Sequence, residues 1–286
     1  MISIAAGVGR IVLDVHGEDA IFTELSYAYP LKLLSPRLNR PKVGVAYVVS
    51  YGGGLVGGDQ VDLIAVVQKD GILVMLTQGT TKVFKSRAGR TPIARADASL
   101  NPSVTRQRLH VSVPSNGALF LLPEPVTCFR SANYHQIQTI HLSSSASLVL
   151  LDWYTSGRKS IGEEWVFERY YSLNDVHIDG KRIARDATLL EDTQPSSASP
   201  VSPTTKRQGT LADRMAPYSC YASVLLYGPL TKLTRDQLWA AYEATTVFKQ
   251  PARPNIVWSI SPFSTGQGAV GLQSVVGVDI YRKALG

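Results

Sequence analysis

"SYGGGLVGGDQVDLIAVVQ" (Ser50–Gln68) packs five glycines into its first ten residues and then changes character. Gly52, Gly54 and Gly57 satisfy G-x-G-x-x-G, and Gly53 with Gly58 gives the G-x-x-x-x-G of a nucleotide P-loop. Both patterns hold phosphate only in the right surroundings. A P-loop needs a lysine directly after its last glycine; Asp59 stands there, and a carboxylate repels phosphate. A dinucleotide fingerprint must open a helix, whose N-terminus holds the pyrophosphate. Here Val61, Leu63, Ala65 and Val67 recur at period two, which is strand patterning. The preceding "VGVAYVVSY" (Val43–Tyr51) is also a strand pattern, so the glycines join strand to strand.

Working outward, strand signals dominate to about residue 190. Asp70-Gly71, Asn116-Gly117 and Asp179-Gly180 are tight-turn dipeptides and predict hairpins. "YHQIQTIHL", "ASLVLLDWY" and "EWVFERYYSL" supply further β-branched and aromatic runs. The runs recur too closely for crossover helices, so antiparallel layers are expected. No internal repeat stands out. "EDTQPSSASPVSPTTKRQGT" (Glu191–Thr210) has no apolar pattern with which to offset its chain entropy, and is expected to be a disordered insertion. A strand at "YSCYASVLLYG" follows, then one helix with Thr234 as N-cap, Gln237 as its capping partner, and Leu238, Ala241 and Tyr242 on one face. The expected fold is mainly β: layered or helical antiparallel sheets with one or two C-terminal helices, forming a single domain over residues 1–286.

The totals narrow the function classes. The chain has 286 residues, of which 44% are hydrophobic and 18% charged, and its longest apolar runs fall far short of the ~20 residues of a membrane span. Cys128 and Cys220 give neither a disulfide framework nor a C-x-x-C pair, so a reducing, cytoplasmic setting is expected. The net charge of +7 favours acidic partners. Its one local concentration, Lys82, Lys85, Arg87 and Arg90, lacks the aromatic interleaving that stacks bases, so nucleic acid is not an expected partner.

No catalytic set is evident. The histidines His16, His110, His135, His141 and His177 are scattered, and His135 and His141 lie ~20 Å apart if they share a strand. Cys128, beside prolines and Phe129, has no local base and is expected to be an inert, buried thiol. The acids are more informative. Asp59 ends the glycine loop, Asp152 ends an apolar run, and Glu163-Glu164 follow Gly162. Each is either a cap or ion pair, with Arg158 and Lys159 at hand, or part of a weak, exchanging cation site.

Five ordered blocks then carry a resemblance: "YPLKLLSP", "SYGGGLVGGD", "TQGTTKVFKS", "LFLLPEPVTCFRSANY" and "LDWYTSGRKSIGEEW". Together they resemble the urease accessory protein UreD (UreH) family. "LADRMAPYSCYASVLLYGPL" and "GVDIYRKALG" resemble its fungal or plant branch. The resemblance implies a non-enzymatic scaffold that binds apo-urease with a UreF-like protein and a UreG-like GTPase while nickel is installed. It implies no tightly bound cofactor and transient passage of Ni²⁺ through an internal channel, where Asp59, Asp152, Glu163 and Glu164 would serve by position. One departure stands out: "SPFSTGQGAVGLQSVVGVDIYRKALG" runs on without a strand and helix that the family pattern places there. From the residues alone, a general interaction scaffold that never handles metal, or a hydrolase, remains open.

Overall fold

The computed structural model describes residues 4–85, 103–192, 209–245, 255–263 and 275–283. In chain order the first strands are β1 (Val8–His16), β2 (Asp19–Tyr27), β3 (Leu31–Leu34), β4 (Val43–Ser50), β5 (Gln60–Val67) and β6 (Ile72–Thr77). They are followed by β7 (Thr81–Val83), β8 (Thr105–Val113), β9 (Ala118–Leu122), β10 (Val126–Cys128), β11 (Asn133–Leu142) and β12 (Ser147–Thr155). The last elements are β13 (Arg169–Ile178), β14 (Lys181–Glu191), α1 (Leu211–Met215), β15 (Tyr218–Tyr227), α2 (Lys232–Glu243), β16 (Ile256–Phe263) and β17 (Val275–Lys283).

Two sheets result. The first has the order β14-β13-β11-β8-β5-β1-β2 and the second β16-β17-β15-β12-β9-β6-β4-β3, with β7 and β10 attached beside β12. From β4 to β13 the chain passes back and forth between the sheets, so neighbours within a sheet come from successive windings and run the same way. Hence β5-β8-β11-β13 and β4-β6-β9-β12 pair in parallel. The mainly β, layered architecture with a helix near the C-terminus is as expected. The expected antiparallel pairing holds at the rims, as in β1–β2, β13–β14 and β12–β15–β17–β16, but not in the centre.

The reason lies in the corners. Asp70 and Asn116 adopt positive φ (63° and 61°) as tight-turn residues do, yet each turn carries the chain from the first sheet to the second. Successive corners stack through backbone bonds: Ile72 N–H donates to Lys42 O (2.8 Å), Ala118 N–H to Gly71 O (2.9 Å), and Ser147 N–H to Gly117 O (2.9 Å). This is the repeat that the sequence conceals, because the loops between corners differ in length. Of the three predicted hairpins only the one at Asp179-Gly180 pairs its own flanking strands.

The space between the sheets is filled by alternate residues of each strand, Leu63 and Ala65 from one side and Leu73, Met75, Leu119 and Leu148 from the other. A smaller cluster, Ile260, Val276 and Val278, is covered by Leu238, Trp239 and Tyr242 of α2. The helix begins earlier than Thr234. A 3₁₀ turn over Pro229–Thr231, set by proline's fixed φ, leads into Lys232, and Thr231 donates to Gly228 O (3.0 Å) instead of capping. The predicted insertion lies almost wholly outside the described residues. At its ends, Leu211 N–H bonds Asp192, and Thr210 forms a capping box with Asp213.

Candidate functional site

The glycine turn is a packing device. Gly52 and Gly53 take positive φ (74° and 76°) in a short 3₁₀ turn. Gly54 is extended, and a Cβ there would lie 2.5 Å from Lys82 O. That bare backbone lets Leu55, fully buried, exchange hydrogen bonds with the β7 segment: its N–H donates to Lys82 O (2.8 Å) and its O accepts from Phe84 N–H (2.9 Å). Asp59 closes the loop by accepting from Val56 N–H (2.9 Å). Burial pushes its carboxyl above the usual range, and that one backbone bond pulls the other way.

Asp152 sits in a different place. From β12 in the second sheet it reaches across the interior to three donors on the first: Gln136 Nε2 (3.0 Å), Ser172 Oγ (2.6 Å) and Asn174 Nδ2 (2.8 Å). Tyr134 extends the network by donating toward Gln107 Oε1 (2.8 Å) and Gln136 Oε1 (3.1 Å). Burying a carboxyl in a β-sandwich costs several kcal/mol unless it is hydrogen-bonded. Here every donor is neutral, so burial dominates and holds the acid above its ordinary 3.8. A cavity of ≈ 50 Å³ beside the carboxyl, lined in part by Gln107, Gln136 and Gln138, is roomy enough for a water molecule.

The polar strip continues sideways. Asp186 on β14 stands in register with Asn174, and Asp279 on β17 with Ser223, which itself pairs with Asp152. Asp279 is held above its ordinary range by burial first and by Asp186 second, and Asp186 acts on Asp152 in the same sense. Polar groups from β8, β11, β13 and β14 on one side therefore face Asp152, Ser223 and Asp279 on the other. The strip is a polar lane through an otherwise apolar interior, running toward the β14 edge of the first sheet. Asp186 and Asp279 were not singled out in the sequence, where each is one polar residue in an alternating strand. Their meaning depends on pairings the sequence does not display.

Glu163 and Glu164 lie elsewhere. Glu163 is gripped by Arg158, Nη2 at 2.7 Å and Nε at 2.8 Å, and more loosely by Arg130 at 3.4 Å. The Arg158 hydrogen bond is the main cause of its lowered pKa. Glu163 lines a cavity of ≈ 400 Å³ together with Val56 and Gly57 of the glycine turn, Phe84, Lys85, Phe129, Arg130 and Arg158. Arg158 also lies over the Phe129 ring, 4.2 Å from its centroid. Glu164 makes a 3.9 Å surface pair with Lys159. Thus Asp152 belongs to the lane, Asp59 to the turn, and Glu163 to the arginine clamp. Among the described residues no three His, Cys, Asp or Glu side chains stand close enough to hold a metal together. Cys128 is buried, and burial pushes its thiol far up, which suits the inert role. Of the basic cluster, Lys82 and Lys85 are described, whereas Arg87 and Arg90 lie outside the described residues.

Residues 5–276 match the UreD urease accessory protein family. The chain belongs to that family. It is 36% identical to urease accessory protein 4 of Cryptococcus neoformans over 90% of this chain and 81% of that protein. It is 32% identical to urease accessory protein D of Oryza sativa subsp. indica, covering 98% and 90%. An uncharacterised UreD-like protein of Schizosaccharomyces pombe is 33% identical over 82% of this chain. Membership in the UreD family ties the chain to urease maturation. No helix among the described residues is long and apolar enough to cross a membrane.

Proposed function

We propose that this UreD-family chain acts in the cytoplasm as a non-enzymatic scaffold. In this reading it binds apo-urease together with UreF-like and UreG-like partners and gives Ni²⁺ a sheltered route toward the urease site. What carries the reading is the polar lane, above all Asp152 with its three neutral donors. A cation in transit needs ligands that replace some of its water without trapping it, and separated carboxylates meet that need better than a Cys/His cage. Asp152, Asp186 and Asp279 are then successive weak stations. Each would bind the ion as a carboxylate, and at Asp152 and Asp279, whose pKa values burial raises, an arriving cation competes with a more readily retained proton. Asp59, Glu163 and Glu164, by contrast, hold the turn, the clamp and a surface pair. Their proposed part is to shape the surfaces around the lane. GTP binding and hydrolysis are left to the UreG-like partner, in keeping with Asp59 at the position of a phosphate-binding lysine.

The test uses Asp152→Asn and Asp279→Asn, separately and together, in cells that make urease. The expected result is a partner complex recovered intact by pull-down, with nickel per urease, measured by elemental analysis, reduced most in the double variant. Full nickel loading in the double variant would sink the lane. Failure of the complex to assemble would make these carboxylates structural.

A further inference from the structure

The opposite, outward face of the first sheet carries a group of titratable side chains that their spacing in the sequence hides. His141 on β11 lies in register with His177 on β13, the ring centroids 4.8 Å apart and the planes tilted by 37°. His110 on β8 pairs with Thr139, one diagonal step from His141 on the same face. Asp175 bonds His177 Nε2 at 3.2 Å and is itself held by Arg182 through Nε (2.7 Å) and Nη2 (2.9 Å).

The spacing of the two rings fits a shared ligand. A divalent transition metal sits about 2.1 Å from each ligating nitrogen, which places the centroids of two cis imidazoles roughly 4.5–5.5 Å apart. A carboxylate on the far nitrogen of a ligating histidine fixes its tautomer and orientation, and Asp175 stands in that relation to His177. Arg182 occupies both Asp175 oxygens and so keeps that carboxylate an orienting group.

We propose that His141 and His177 form a two-imidazole site for a divalent transition-metal ion on the outer face of the sheet, with Asp175 orienting the His177 ring and water filling the remaining positions. Two neutral nitrogen donors prefer Cu²⁺, Ni²⁺ and Zn²⁺ to Mg²⁺ or Ca²⁺. With only two protein ligands, binding is weak and exchanging. The site stands on the other side of the sheet from Asp152 and does not rest on the lane.

The experiment titrates the tag-free, full-length chain with Ni²⁺ by calorimetry and records the electron paramagnetic resonance spectrum of the Cu²⁺ form. Wild type should show a nitrogen-ligated site, with two equatorial nitrogens, in addition to any carboxylate binding in the lane. H141Q and H177Q should each weaken Ni²⁺ binding about tenfold or more and remove one nitrogen from the Cu²⁺ spectrum. D175N should weaken binding about tenfold while keeping two nitrogens, and D152N should leave the site untouched. Because His141 is exposed, H141Q is expected to fold, with circular dichroism as the check. Unchanged stoichiometry and affinity in the H141Q/H177Q double variant, or a wild-type Cu²⁺ spectrum without two nitrogens, would overturn the proposal.

Discussion

Asp152 and Glu163 both expose little surface, 7% and 8%, but Asp152 lies deep between the two sheets and Glu163 on the wall of an open cavity, and their acidities are displaced in opposite directions. Both are fully hydrogen-bonded. The difference is depth together with the charge of the donors: burial first, with an amide, a hydroxyl and a second amide, around Asp152, and two guanidinium groups around Glu163. Neutral donors offset part of the desolvation cost without favouring the anion enough to reverse it, whereas a guanidinium does both. Low surface exposure alone therefore says little about what a carboxylate is for. Glu163 is already neutralised and serves as a joint between the segments bearing Arg130 and Arg158. Asp152 has only neutral hydrogen-bond partners.

The largest effect that would sharpen this contrast is expected from Asp152→Leu. It removes the acceptor shared by Gln136, Ser172 and Asn174, and one unsatisfied buried donor costs about 1–3 kcal/mol. A loss of roughly 3 kcal/mol is expected from the denaturant midpoint at constant m value. A change below ~0.5 kcal/mol would mean the network is solvated, and the contrast between the two acids would fall.

Next comes Gly54→Ala, in the glycine turn that lends Val56 and Gly57 to the Glu163 cavity. Its new methyl would meet Lys82 O at 2.5 Å, and backbone cannot swing aside as a side-chain tip can. Overpacking of this kind costs about 1–3 kcal/mol. The same substitution at Gly53, where a Cβ meets nothing but the φ is positive, separates steric clash from backbone strain. Equal losses at the two positions would show that the close approach to Lys82 is unimportant.

The smallest expected effect is the most diagnostic, because its sign changes with pH. The Glu163 pKa is lowered by folding, so its contribution is present above its ordinary 4.5 and is lost as pH falls through the lower folded value. Glu163→Gln should therefore destabilise at pH 7 and converge on wild type in acid. Asp152 runs the other way: its folded value is raised, so its contribution is present below 3.8 and is lost as pH rises through the folded value. Asp152→Asn, a mimic of the protonated acid, should gain on wild type as pH rises. Parallel pH profiles for the two variants would erase the distinction.

Much of this was legible in the chain. Period-two patterning after Gly58 and the tight-turn dipeptides were enough to place a β architecture and to make the glycines a turn between strands. What stayed hidden were relations between strands. Asp70-Gly71 has the residue chemistry of a hairpin, and nothing local distinguishes a turn that folds back within a sheet from one that steps across to the next. Thr234 is a sound cap until Pro229 starts the helix early. His141 and His177 look unrelated because 35 intervening residues, a strand of the other sheet among them, separate partners that the parallel register sets side by side. Asp186 and Asp279 were missed for the same reason.

The stacked corners also constrain how such a chain finds its structure. In each sheet the central neighbours are separated by a whole excursion through the other sheet, so no central pair can zip up from its own turn. Local nuclei are confined to rim pairs such as β1–β2, β3–β4 and β13–β14. Loop-closure entropy must be met before the middle gains anything, which places folding in the slow, ms–s class of non-local β topologies. Meanwhile the unpaired central strands expose apolar runs such as Leu119–Leu122 and Leu148–Leu151 to other chains. Yield of soluble protein is then governed by the time spent half-wound rather than by the stability of the finished coil.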